Sequence, residues 1–186
     1  MVSRQQALSM LRDAESPIFE GAQGILIDQN YGFYPYITRS DVTPSNAVRM
    51  CRDAGLLYEI MGVVRAYTVR HGPGPMPTFD KKLTLQIPDA HNAFGEWQRE
   101  FRVGYFDSVM TRLAIDICSK ELEREGVTAL FVTCLDRLTD IEEVKVCDFY
   151  EGNRTVHVLE PQSLSRIGKV EKKMSTNFVS RLEPHY

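Results

Sequence analysis

The chain has 186 residues, enough for one domain with or without an appendage. Hydrophobic residues make up 43% and charged residues 25%, the balance of a globular protein with a real core. A formal charge of −3 and a pI near 5.8 argue against a non-specific nucleic-acid surface. No apolar run approaches the roughly 20 residues of a membrane helix, and MVSRQQALSML lacks an apolar core and a small-residue cleavage site. A cytoplasmic protein with no membrane or nucleic-acid partner is therefore expected.

In chain order, Ser3 with Gln6 forms a capping box, and Ala7, Leu8, Leu11 and Ala14 give a helical apolar stripe. Pro17 ends that helix and is expected to launch a strand. The stretch Phe19–Thr38, FEGAQGILIDQNYGFYPYIT, then reads as a strand, a ligand-facing turn and a stiff second wall. Gly21 and Gly24 flank Gln23, so backbone without Cβ atoms can approach a ligand while one amide offers both donor and acceptor to a base edge. Tyr34-Pro35-Tyr36 stiffens the return, and Thr38 ends it with a hydroxyl. The same residues also fit an ordinary Gly-rich turn.

Thr43-Pro44 predicts an N-cap and first-turn proline, with Val48, Cys51 and Ala54 inward and Gly55 as terminator. Ile60–Arg70 is apolar on both faces, as in a central, largely parallel strand. His71–Pro77, with three prolines and two glycines, predicts an irregular loop. The long connection to Arg102 is expected near the ligand site, and within it Lys82–Ile87 alternates like an edge strand. Phe106, Val109, Met110, Leu113, Ile117 and Cys118 mark the inner face of a helix running to about Arg124 and ended by Gly126, with Asp107 in its first turn.

Ala129–Thr133 reads as a short buried strand and Glu143–Tyr150 as another, which Gly152-Asn153 turns into a hairpin with Thr155–Leu159. From Pro161 the chain is polar, and basic around Lys169–Lys173. This divides it into one α/β domain, residues 1–160, and a C-terminal tail, 161–186. The fold expected is α/β, a mainly parallel sheet with flanking helices. Gln23, His71 and Asp136 each follow a predicted strand, where such sheets bind ligands.

Four cysteines, Cys51, Cys118, Cys134 and Cys147, show no C-x-x-C spacing and read as reduced thiols. The dispersed histidines form no metal-ligand spacing, so no metal is expected. His71 is the one catalytic candidate, a general base near Glu100 if the pocket serves another reaction. A histidine that merely packs or faces solvent is the simpler reading.

Several motifs stand in order along the chain: FEGAQG followed by YPYIT, GVVRAYTVRHGPGPMPT at Gly62–Thr78, NAFG at Asn92–Gly95, RVGYFD at Arg102–Asp107, and VTCLDRLTDIEEVKVC at Val132–Cys147. Together they resemble the middle and later portion of adenylosuccinate synthetases, which join IMP and aspartate at the expense of GTP. The resemblance implies a related α/β fold, akin to P-loop NTPases, and a dimer. It puts Gln23, with Gly21 and Gly24, against the purine of IMP, and Thr38 on the monophosphate. Arg70 and His71 are counted with these nucleotide-binding residues.

Cys134-Leu135-Asp136 stands where the family has Lys-Leu-Asp, so Asp136 is the candidate for a guanine edge, or a cap for the turn that follows. Arg99 and Arg102 match the first and last arginines of the family's basic run, as anion contacts or as plain salt bridges. The family's Thr-Thr-Gly is replaced by Glu96-Trp97-Gln98, and Glu100 and Phe101 interrupt the arginines. No Gly-Asp-Glu-Gly-Lys-Gly phosphate loop occurs in the 186 residues, and no segment matches the C-terminal one that encloses guanine. The resemblance thus implies a purine-nucleotide-binding relative without self-contained ligase activity, a sponge, sensor or regulatory partner. The alternatives are a subunit of a split synthetase, with Mg²⁺ entering only if a partner chain supplies the phosphate loop, or an enzyme repurposed for another purine or deoxyribonucleotide.

Overall fold

The computed structural model describes residues 2–89, 92, 94–121, 126–151 and 183–185. Helix α1, Arg4–Asp13, starts as expected: the Ser3 hydroxyl accepts from Gln6 N (3.3 Å) and the Gln6 side chain accepts from Ser3 N (2.8 Å). It packs beside α2, Ser45–Ala54, through an Arg4–Asp53 ion pair of 2.6 Å and an Arg12 bond to the Ala54 carbonyl (3.1 Å). In α2, Val48, Cys51 and Ala54 are buried, and Gly55 closes the helix at φ 70°. Pro44 takes the N-cap one residue beyond Thr43, whose hydroxyl accepts from Ser45 N (3.4 Å) and donates to Asp41 Oδ1 (2.6 Å).

The expected strand after Pro17 does not form. Residues 17–24 are exposed coil, followed by a 3₁₀ turn at Ile25–Ile27. With no neighbouring strand to pair its backbone, this stretch is shaped by a side chain instead. Asp28, fully buried, accepts from Asn30 N (2.6 Å) and Tyr31 N (3.2 Å) through Oδ1, and from Val42 N (2.7 Å) through Oδ2. One carboxylate satisfies three amides and closes residues 28–42 into a loop.

The single strand expected over Ile60–Arg70 is two. Strand β1, Met61–Arg65, pairs in parallel with β5, Ala129–Thr133, while β2, Thr68–His71, pairs antiparallel with β3, Phe101–Gly104. Ala66 and Tyr67, between β1 and β2, are buried in the core and mark the break. Lys82–Ile87 is not an edge strand either. It lies in and just after α3, Lys81–Gln86, whose N-cap Asp80 accepts from Leu83 N (2.6 Å). The helical spacing brings Leu83 and Ile87 to one buried face and leaves Leu85 in water.

Strand β4, Phe106–Asp107, pairs in parallel with β6, Val146–Cys147, and leads into α4, Ser108–Glu121. Along α4, Met110, Leu113, Ile117 and Cys118 are buried as expected, whereas Phe106 and Val109 are half-buried. Asp107 is buried, caps Met110 N (3.0 Å) and accepts the Tyr150 hydroxyl (2.5 Å). Burial pushes its carboxyl above the usual aspartate range, opposed by those hydrogen bonds. Strand β7, Phe149–Glu151, pairs antiparallel with β8, Glu183–His185. The hairpin expected over Gly152–Leu159 and most of the tail lie outside the described residues.

The chain is an α/β protein. One core cluster gathers Phe33, Met110, Leu113, Ile117, Cys147 and Tyr150, and the other holds Ala66, Tyr67, Leu83, Ile87 and Val103. Strand β5, expected to be buried, is exposed along its whole length, because no described element covers it.

Candidate functional site

Gln23 sits at φ 66° and is exposed. The left-handed conformation, which favours glycine, thus falls on the amide residue itself. Around Gly21 and Gly24 a Cβ would meet nothing within 4 Å, so these glycines front open space and are not required by the chain's own packing. The turn does not follow a strand. Its position comes from the 3₁₀ turn, where Ile27 N donates to Gly24 O (3.0 Å), and from Thr38 N, which donates to Ile27 O (2.7 Å). Thr38 is half-buried, its hydroxyl paired with that of Ser40 at 3.2 Å. Asp28 holds this wall together from within, a role missed in the sequence although Asp followed by donors two and three residues on is a legible Asx turn.

Arg70 and Arg102 are register partners across β2–β3, so their side chains leave the same face of the ladder. Arg70 donates to Tyr36 O (2.9 Å) and Pro73 O (2.9 Å), tying the Thr38 wall to the loop after β2. Arg102 donates to Gly72 O (2.7 Å) and Gly74 O (2.9 Å) and lies over the Phe79 ring. Gly74, at φ 117°, lies so close to the Arg70 guanidinium that a Cβ would strike it at 2.3 Å. Burial, then the neighbouring Arg102 charge, pushes the Arg70 pKa down to about 10. Burial lowers Arg102 too, against the pull of Glu100. Among the described residues no carboxylate forms an ion pair with either, or with the exposed Arg99, itself at φ 61°.

His71, the last residue of β2, turns to the opposite face, where its ring meets Phe101 edge-on at 5.9 Å. Its Nε2 is buried without a hydrogen-bond partner among the described residues. Asp136 lies elsewhere, in a 3₁₀ turn after β5 (Leu135–Leu138), where its carbonyl accepts from the Thr139 hydroxyl (2.9 Å). The residue lines an open depression of about 350 Å³ with Gln86, Arg137, Thr139, Asp140 and Ile141. Hydrogen bonds thus join Tyr36, Arg70, the Gly72–Gly74 loop and Arg102 in one set, and Gly24, Ile27 and Thr38 in another. None of these residues lines the depression that holds Asp136.

The sequence pattern of adenylosuccinate synthetases matches residues 2–177. The chain belongs to that family. The adenylosuccinate synthetase of Synechococcus sp. RCC307 is 35% identical over 173 residues, 89% of this chain but 37% of the relative. That of Synechococcus sp. WH7803 is 38% identical over 154 residues, covering 78% and 33%. Fully ligated adenylosuccinate synthetase from Plasmodium falciparum superposes with a TM-score of 0.70 at 22% identity, over 98% of this chain and 40% of that one. The succinoaminodeoxyadenylate synthetase of cyanophage S-2L, bound to dGMP and dATP, gives 0.50 at 24% identity over 70% of this chain and 39% of that one. These two solved structures support the shared fold. The chain spans about a third of the length of the curated relatives it matches, 37% and 33% for these two.

Proposed function

We propose that this chain binds a purine nucleotide on the wall built from Gln23 and Thr38, with Arg70, Arg99, Arg102 and the Gly72–Gly74 loop alongside, and does not by itself complete the ligation. The observation that carries the reading is exposed Gln23, its backbone at φ 66° between two glycines at which a Cβ would meet nothing within 4 Å. A planar amide presented this way can pair with a base edge. The absence of a Gly-Asp-Glu-Gly-Lys-Gly stretch in the 186 residues supports the second half, because phosphoryl transfer depends on positioned phosphate, metal and cationic groups.

Calorimetry with IMP, AMP, GMP and their deoxy forms tests the binding. At least one purine nucleotide binds, and Gln23→Ala weakens it by roughly tenfold, the loss of about 1.4 kcal/mol. Silence across the panel overturns the reading. Steady formation of adenylosuccinate from IMP, GTP and aspartate by the purified chain overturns its second half.

A second reading is favoured by the bare β1–β5 ladder: the chain works with a polypeptide that supplies the rest of a synthetase fold, as a subunit or as a larger homo-oligomer. Parallel strands are normally covered on both faces, yet Met61, Val63, Phe131 and Val132 are exposed here. Adenylosuccinate formed only after a chain bearing the phosphate loop is added would select this reading.

A further inference from the structure

Gly95–Arg99 forms a tight reversal, closed by Gly95 N to Arg99 O (3.2 Å) and Arg99 N to Gly95 O (2.6 Å). It is braced on the loop after β2. Gly72 N donates to Glu100 O (2.9 Å), and a Cβ on Gly72 would come within 2.9 Å of the Gln98 carbonyl oxygen. The carbonyl of that same Gly72 receives the Arg102 guanidinium. At the tip, Trp97, the one tryptophan of the chain, is 91% exposed, and Phe94 just before the reversal is 74% exposed. Two large rings held in water on a braced turn contribute nothing to the core and leave their faces open to a partner.

The surrounding charge says which partner. Arg99 closes the reversal, and Arg102 is bonded to the loop beneath it, neither neutralised by an ion pair among the described residues. Glu96 and Glu100 on the same segment balance their charge, so an anion with an apolar ring attached would be held here by directed guanidinium hydrogen bonds and not by a net field. A flat ring stacks on an indole whatever its edge carries, while a guanidinium fork takes the attached phosphate.

We infer that Trp97 is a stacking platform for the ring of a bound nucleotide, held in place by the Gly95–Arg99 reversal on the Gly72–Gly74 loop. The inference rests on the nucleotide-binding reading above and adds an aromatic surface braced on the Gly72–Gly74 loop.

Because Trp97 is the only tryptophan, its emission reports the contact directly. The full chain is titrated with IMP, dGMP, ribose 5-phosphate and inorganic phosphate, with emission and calorimetry recorded on the same samples. The purine nucleotides quench and shift the emission, and the two ring-free phosphates do not. Trp97→Ala weakens nucleotide binding by roughly 5- to 100-fold, and Trp97→Phe by clearly less. Circular dichroism of both variants matches the parent, since the side chain is exposed.

Heat of binding with unchanged emission and an undiminished Trp97→Ala affinity overturns the inference and leaves nucleotide binding intact. Absence of heat with every nucleotide removes both. If Trp97→Ala keeps its nucleotide affinity but loses self-association in sedimentation, the ring is an interface anchor and the inference is overturned.

Discussion

The β2–β3 and β1–β5 ladders are both two-stranded, and they differ in what lies on them. Against β3 packs α3, with Leu83 1% and Val103 0% exposed, and the Thr84 hydroxyl bonds both backbone groups of Val103. On β1 and β5, Val63 is 68% and Phe131 51% exposed, although the register runs unbroken from Met61↔Ala129 to Arg65↔Thr133. Backbone pairing is therefore sound in both, and burial separates them. An isolated two-stranded unit is marginal in water, so the first ladder is stabilised by its cover and the second by its attachment to the covered body.

The largest effect that sharpens this contrast is Leu83→Ala, which removes the side chain joining α3 to the covered ladder. It should cost about 2–5 kcal/mol in urea unfolding. A loss below about 1 kcal/mol would mean that α3 is not a working cover.

A middle-sized effect lies at Asp107, which joins β4 to β7 through Tyr150. Its folded pKa is raised, so the folded state binds the proton more readily than the unfolded chain. The stability it contributes is complete below the unfolded value of about 4 and is lost as pH rises through the folded pKa. Asp107→Asn should cost about 1 kcal/mol at low pH and remove that part of the pH slope. An identical slope in parent and variant would show that Asp107 does not carry it.

The smallest effect belongs to the bare ladder. Phe131→Ala should change the stability of the isolated chain by no more than about 0.5 kcal/mol. A larger loss would show that the face is covered in solution, and if that loss grows with protein concentration, the cover is another copy of the chain.

Local signals in the sequence determined α1, α2 and α4. Their caps and apolar spacing act within one or two turns of chain, so Ser3 with Gln6, Gly55, and Met110 through Cys118 could be read directly. The α/β class and the family followed from motifs that survive in order. The Gln23 turn was legible as a turn, because flanking glycines are a local signal.

Tertiary structure decided the rest. Lys82–Ile87 alternates like a strand, but the Asp80 cap and a buried slot for Leu83 and Ile87 make it helical. Apolar content suggested that Ala129–Thr133 is buried, yet burial depends on which other elements are present to cover a strand, and its composition cannot supply them. Arg70 and Arg102 share a face because β2 pairs with β3, and Arg70 reaches the Tyr36 carbonyl 34 positions back along the chain. Those contacts join residues tens of positions apart, beyond the reach of any local pattern.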